Sequence, residues 1–152
     1  MVDTVNPSDF ASAHTDRYSK KRKSKIKITK GKKNVLLIGP QSALNDAERS
    51  FMAPALGIIR LAGFLNTKGH YAEHFEPNLR MLTGEGKSLE DVLKERKWDI
   101  IGFSILEETF VYDIKNMLIA ERHHPQAILM AGGIEAQFNY QTVLDKTPCN
   151  IV

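Results

Sequence analysis

Residues 98–104 (WDIIGFS) and 127–133 (AILMAGG) are two apolar runs of strand length that break off at small residues. The first meets Ser104 and then the acidic pair Glu107 and Glu108; the second meets Gly132 and Gly133. Near-continuous apolar strands belong to a parallel sheet covered by helices on both faces. Such sheets take ligands beyond the carboxyl ends of their strands, and small residues there let a large ligand approach the backbone. The pattern restricts the chain to an α/β fold and points to a bound cofactor at one end of it.

The rest of the chain supplies the partners of those strands. Residues 34–39 (NVLLIG) read as a first strand, followed by a polar loop over 40–53 that contains Asn45, Asp46 and Glu48. Pro54 opens a helix at Ala55 that runs to Lys68 and stops at Gly69. Its apolar face is broad, with Leu56, Ile59, Ala62 and Leu65 flanked by Ile58, Leu61 and Phe64, the width a helix needs to pack on a sheet. Residues 71–75 form a short second strand, and 76–87, with Pro77, Gly84 and Gly86, read as a loop. Ser88 caps a second helix with Asp91 three residues on, and Leu89, Val92 and Leu93 face inward. Residues 99–104 are the third strand. A third helix over 108–124 points Val111, Ile114 and Leu118 inward and ends at Pro125. Residues 126–131 are the fourth strand. A fourth helix over 135–146 carries Ala136, Tyr140, Val143 and Leu144 on one face, and 149–152 begin a fifth strand. Five strands alternating with helices imply a flavodoxin-like, doubly wound parallel five-stranded sheet in the order 2-1-3-4-5. The chain stops at an interior-looking strand, as expected of a fragment with more protein to follow.

The charge is segregated. Residues 20–33 (KKRKSKIKITKGKK) hold nine of the 21 basic residues, and 1–33 carry ten basic against three acidic, a charge of +7. The remaining eleven basic and fifteen acidic residues leave 34–152 at −4. Residues 1–33 are thus a basic leader, expected to be disordered, attached to a mildly acidic domain at 34–152. A dense basic run admits a nucleic-acid or anionic-surface role. No aromatic residue interleaves with the lysines as a base-stacking platform requires, so the leader reads first as a solvated tail. No apolar run long enough to span a membrane occurs, and no apolar stretch before a cleavage site marks a secretory signal. Cys149 is the only cysteine, which excludes within this chain a disulfide framework, a multi-cysteine zinc site and an iron–sulfur cluster. A cytoplasmic protein is the expectation.

Several ligands of this architecture fail on the first loop. A dinucleotide needs Gly-x-Gly-x-x-Gly after the first strand, and residues 39–44 (GPQSAL) contain one glycine. A phosphate loop needs a terminal Gly-Lys-Ser/Thr, which residues 39–53 do not contain. A phospho-accepting receiver needs acids after the first strand and an aspartate ending the third, where Gly39, Pro40 and Ser104 stand. A flavin mononucleotide site has only Ser42 in its favour.

Residues 53–65 (APALGIIRLAGFL), followed by Lys68, Gly69 and His70, resemble the "PPLGLLYLAAYLRERGH" segment of the cobalamin-binding domains of cobalamin-dependent radical S-adenosylmethionine enzymes. The strand at 99–104, the strand ending in Gly132 and Gly133, and the closing 148–152 (PCNIV) follow the same order over the whole of 34–152. The resemblance implies a cobalamin-binding module that positions the corrinoid, for methyl transfer or related chemistry, for a downstream radical domain. That domain is the implied partner and would carry S-adenosylmethionine and a 4Fe-4S cluster; with one cysteine this chain lacks the three-cysteine cluster motif. Cofactor contacts are implied at Gly39 and Pro40, at Ser104, Leu106, Glu107 and Thr109, and at Gly132, Gly133 and Ile134. The glycines would leave room for the nucleotide tail, although each also admits a tight turn or close packing, and Ser104 and Thr109 would offer hydroxyls. The Asp-x-His-x-x-Gly motif of other methyl-carrying corrinoid proteins does not occur over 39–53, so no histidine is expected on cobalt. Two rival readings stay open: a ligand-free interaction domain whose basic tail recruits nucleic acid or an acidic partner, and a flavin-binding electron carrier.

Overall fold

The computed structural model describes residues 30–42 and 54–152. The leader up to residue 29, with its expected disorder, and the loop segment 43–53 with Asn45, Asp46 and Glu48 lie outside the described residues. Among the described residues four parallel strands form one sheet: β1 (Asn34–Ile38), β2 (Tyr71–Phe75), β3 (Ile100–Ser104) and β4 (Ile128–Gly132), in the order β2-β1-β3-β4. The expected 2-1-3-4 core of the sheet is therefore present. The expected fifth strand shrinks to a single parallel bridge between Ile151 and Met130. Ile151 straddles Met130, its amide donating to the Leu129 carbonyl at 3.3 Å and its carbonyl accepting the Ala131 N–H at 2.9 Å.

Alternation along β1 sorts the core into two layers. Leu36 and Ile38 join Trp98, Ile101 and Phe103 under the helices of one face, whereas Val35 and Leu37 face a smaller layer with Ile58, Ala62 and Ala72. Trp98, 1% exposed, is the largest fully buried side chain, and its indole N–H donates to the Val92 carbonyl at 3.2 Å. On the smaller face sits α1 (Leu56–Thr67), of whose broad apolar face only Ile58 and Ala62 are buried. Leu56, Leu61 and Phe64 are exposed because α1 covers β1 and β2 and leaves the same face of β3 and β4 open beside it.

Residues 76–87 are not a loop: α2 (Pro77–Thr83) forms there. The two breakers that signalled a loop are its ends, Pro77 at the first helical position and Gly84 in the left-handed conformation at its close. The next helix, α3 (Leu89–Glu95), has the expected inner face and a reciprocal cap, Asp91 N–H to Ser88 Oγ at 3.2 Å and Ser88 N–H to Asp91 Oδ2 at 2.9 Å. Ser88→Ala should cost about 1 kcal/mol in urea unfolding, with the slope of the transition unchanged. The third crossover helix, α4 (Phe110–His123), is rotated from expectation: it buries Asp113, Asn116, Met117 and Ala120, while Val111 is exposed and Ile114 and Leu118 are half-buried. The expected single helix over 135–146 is broken at Asn139 into α5 (Ile134–Phe138) and α6 (Tyr140–Lys146), and Tyr140 is exposed. Ala136 and Val143 are buried as expected.

Both margins of the sheet engage asparagine side chains. Asn66 donates to the Ala72 carbonyl at 2.8 Å and accepts the Ala72 N–H at 2.9 Å on β2. Asn150 accepts the Leu129 N–H at 2.9 Å on β4, and the Ile151 carbonyl accepts the Ala131 N–H at 2.9 Å.

Candidate cofactor groove

The open face of β3 and β4 beside α1 forms an apolar groove of about 510 Å³. Gly102, Met130 and Gly132 floor it, Gly57, Ile58 and Leu61 of α1 wall it, and Ser104 and Gly133 stand at its mouth, at the carboxyl ends of β3 and β4. Lys33 and His70 mark the other end, where the Lys33 N–H donates to His70 Nδ1 at 3.2 Å.

The glycines do different work. A Cβ on Gly132 or Gly57 would meet nothing within 4 Å, so their smallness translates directly into groove width. Gly133 has φ 101° and would set a Cβ 2.7 Å from the Ile105 carbonyl oxygen, so the turn itself demands glycine. Gly39 faces the Glu76 carboxylate, which occupies the space a Cβ would need and accepts the Ala55 N–H at 3.0 Å. Its small size serves packing at the start of α1.

Ser104, Gly132 and Gly133 are the three sequence-derived candidates that line the groove. Pro40 and Leu106 are half-buried outside it, Glu107 and Ile134 are exposed outside it, and Gly39 is buried against Glu76. Thr109 is buried and its hydroxyl is already used, donating to Asp113 Oδ2 at 2.6 Å and accepting the Leu106 N–H at 3.2 Å.

A polar network that the sequence reading overlooked fixes the loop after β1. Asp113 Oδ1 accepts the Gln41 N–H at 2.9 Å, and Asn116 donates to Gln41 Oε1 at 2.7 Å. From α2, Asn78 accepts the Ser42 N–H at 3.0 Å and donates to the Pro40 carbonyl at 2.9 Å. Burial pushes the Asp113 carboxyl up to about 7, against the lowering effect of the Thr109 and Gln41 hydrogen bonds. The signal was present as positions 113, 116, 117 and 120, a helical face that mixes two polar residues with two apolar ones. Among the described residues no group of three or more histidine, cysteine, aspartate or glutamate side chains is arranged to hold a metal ion. No described helix is long and apolar enough to cross a membrane.

No family model and no curated protein matches this chain. Among solved structures it is similar to TsrM from Kitasatospora setae, a radical S-adenosylmethionine methyltransferase, in a form with cobalamin and a [4Fe–4S] cluster bound: 18% identity, TM-score 0.57, over 74% of this chain and 22% of that one. A second TsrM structure, with tryptophan substrate and an S-adenosylmethionine analogue bound, gives 19% identity and a TM-score of 0.56 over 73% of this chain and 21% of that one. The chain thus spans about a fifth of the length of the structures it matches, and what they share is an α/β fold with a parallel sheet.

Proposed function

We propose that this chain is a cobalamin-binding domain that serves a radical S-adenosylmethionine domain. The groove carries the reading: an apolar slot, widened by Gly57 and Gly132, opens at the carboxyl ends of parallel strands, where this fold class takes its ligands. Cobalamin bound to the TsrM structure of the same fold supports it, as does the resemblance over 53–70. The residues present suit the nucleotide tail. Gly102, Met130 and Gly132 would lie along it, Leu61 would cover it, and the Ser104 hydroxyl would meet its polar atoms at the mouth. The pinned segment Pro40–Gln41–Ser42 would frame the corrin ring without a histidine toward cobalt. Bound cobalamin would supply methyl-transfer chemistry; the protein's share is to bind, orient and exclude water. S-adenosylmethionine and a 4Fe–4S cluster belong, on this reading, to a separate domain, since Cys149 is buried with Sγ 3.7 Å from Met117 Sδ.

Incubation with hydroxocobalamin followed by desalting tests the proposal. The protein fraction should keep the corrin absorbance in the visible spectrum; folded protein that emerges colourless overturns it.

A further inference from the structure

The connections that leave β1 and β3 part in opposite directions. In the order β2-β1-β3-β4, α1 carries the chain from β1 to β2 over one face, and α4 carries it from β3 to β4 over the other. Such a parting leaves a crevice between the carboxyl ends of the two strands. Ile38 pairs with Phe103, so Gly39 and Pro40 lead the chain out from beside Ser104, and Gln41 follows them. Asp113 of α4 ties the two sides together: Oδ1 accepts the Gln41 N–H at 2.9 Å after β1, and Oδ2 accepts the Thr109 hydroxyl at 2.6 Å after β3.

The bonds around Gln41 decide which of its groups stay free. Its N–H goes to Asp113, and its Oε1 accepts from Nδ2 of the buried Asn116 at 2.7 Å. On either side of it, Asn78 donates to the Pro40 carbonyl and accepts the Ser42 N–H. With Oε1 turned to Asn116, the Nε2 amide group points away from it, and among the described residues nothing accepts its hydrogens. Fixing a half-buried glutamine in one rotamer costs conformational entropy. A loop residue that served only solubility would keep that freedom.

The charges nearby select the ligand group. The described residues that connect the carboxyl ends of the strands, 39–42, 54–55, 76, 105–109 and 133, contain Glu76, Glu107 and Glu108 and no lysine or arginine. An anionic group would be repelled there, whereas a neutral carbonyl oxygen would not. The edge of a corrin ring carries neutral carboxamides. We infer, resting on the cobalamin reading above, that Gln41 is a cofactor contact whose Nε2 donates to a carboxamide carbonyl at the corrin edge. Asn116 is the positioning residue that turns that donor outward, and Asp113 and Asn78 hold the backbone beneath it.

Titration of the nitrogen-15-labelled full chain with hydroxocobalamin tests this by magnetic resonance. The Gln41 side-chain amide pair, identified by its loss from the spectrum of Gln41→Glu, should shift on addition. Gln41→Glu keeps an oxygen for Asn116 and replaces the donor with an acceptor, so affinity for hydroxocobalamin should fall about tenfold with the thermal melt unchanged. Asn116→Leu, which releases the Gln41 side chain, should weaken binding about threefold. In the double variant the Asn116 change should add nothing, because the donor it orients is already gone; an independent structural effect would add in full. An unmoved amide pair, undiminished affinity in Gln41→Glu, or additive losses would overturn the role of Gln41 and leave the cobalamin reading standing. Failure of the unaltered chain to bind hydroxocobalamin would overturn both.

Discussion

Gly132→Leu should leave the domain folded and strip it of retained cobalamin. Gly132 lies outside the left-handed region and a Cβ there meets nothing within 4 Å, so the backbone accepts a side chain. The leucine would instead occupy the groove beside Met130, which β4 presents to the same space. Gly57→Leu on the opposite wall sharpens the test. It should raise helix stability by about 0.8 kcal/mol and still weaken cofactor retention, so that stability and binding move in opposite directions. Both variants are to be measured by corrin absorbance after desalting and by urea unfolding. Full retention of cobalamin in both would remove the groove from the binding site.

Asp113→Ala should cost about 3 kcal/mol, because the Gln41 N–H loses its acceptor and the Thr109 hydroxyl keeps only the neighbouring Leu106 groups. Asp113→Asn should behave differently. An amide can accept from Gln41 through its oxygen and donate to Thr109, whose hydroxyl can turn to the Leu106 carbonyl 3.2 Å away. The carboxyl is raised from 3.8 to about 7 in the folded state, so the protonated form is the one the fold favours. Its contribution is fully present below pH 3.8 and is lost as pH rises through about 7. Wild-type stability should therefore fall as pH rises from 3.8 to about 7 and level off above that, by up to about 1.4 kcal/mol per pH unit for one proton. The asparagine variant should lack that component and gain on the wild type toward the upper end of that window. Parallel slopes for the two proteins would show that Asp113 does not titrate with folding.

The strands were legible because burial on two faces leaves long apolar runs, as at residues 100–103, and because Gly133 marks a turn that only glycine enters easily. The cap of α3 was legible for a local reason, the three-residue spacing of Ser88 and Asp91. What escaped the sequence depends on contacts distant along the chain. Asp113 and Asn116 look like solvent residues until the loop carrying Gln41, more than seventy positions earlier, is folded against them. Leu56, Leu61 and Phe64 look like core until the sheet face next to α1 is seen to be open. Pro77 and Gly84 are ambiguous locally, since the residues that end a loop also begin and end a helix. In the candidate site, Gly132 and Gly133 were singled out together, yet one gives room and the other shapes a turn. Gly39 answers to Glu76, a partner that no spacing rule connects to it.

Asn66 and Asn150 have a consequence for association. An outer strand normally offers its free amides and carbonyls as a template on which another polypeptide can add, the first step toward ordered aggregates. Here side chains already occupy both polar groups of Ala72, and the outward amides of Leu129 and Ala131 are taken as well. An incoming strand must first displace an asparagine at either flank, so the sheet resists lateral growth even though β2 and β4 are each only five residues long.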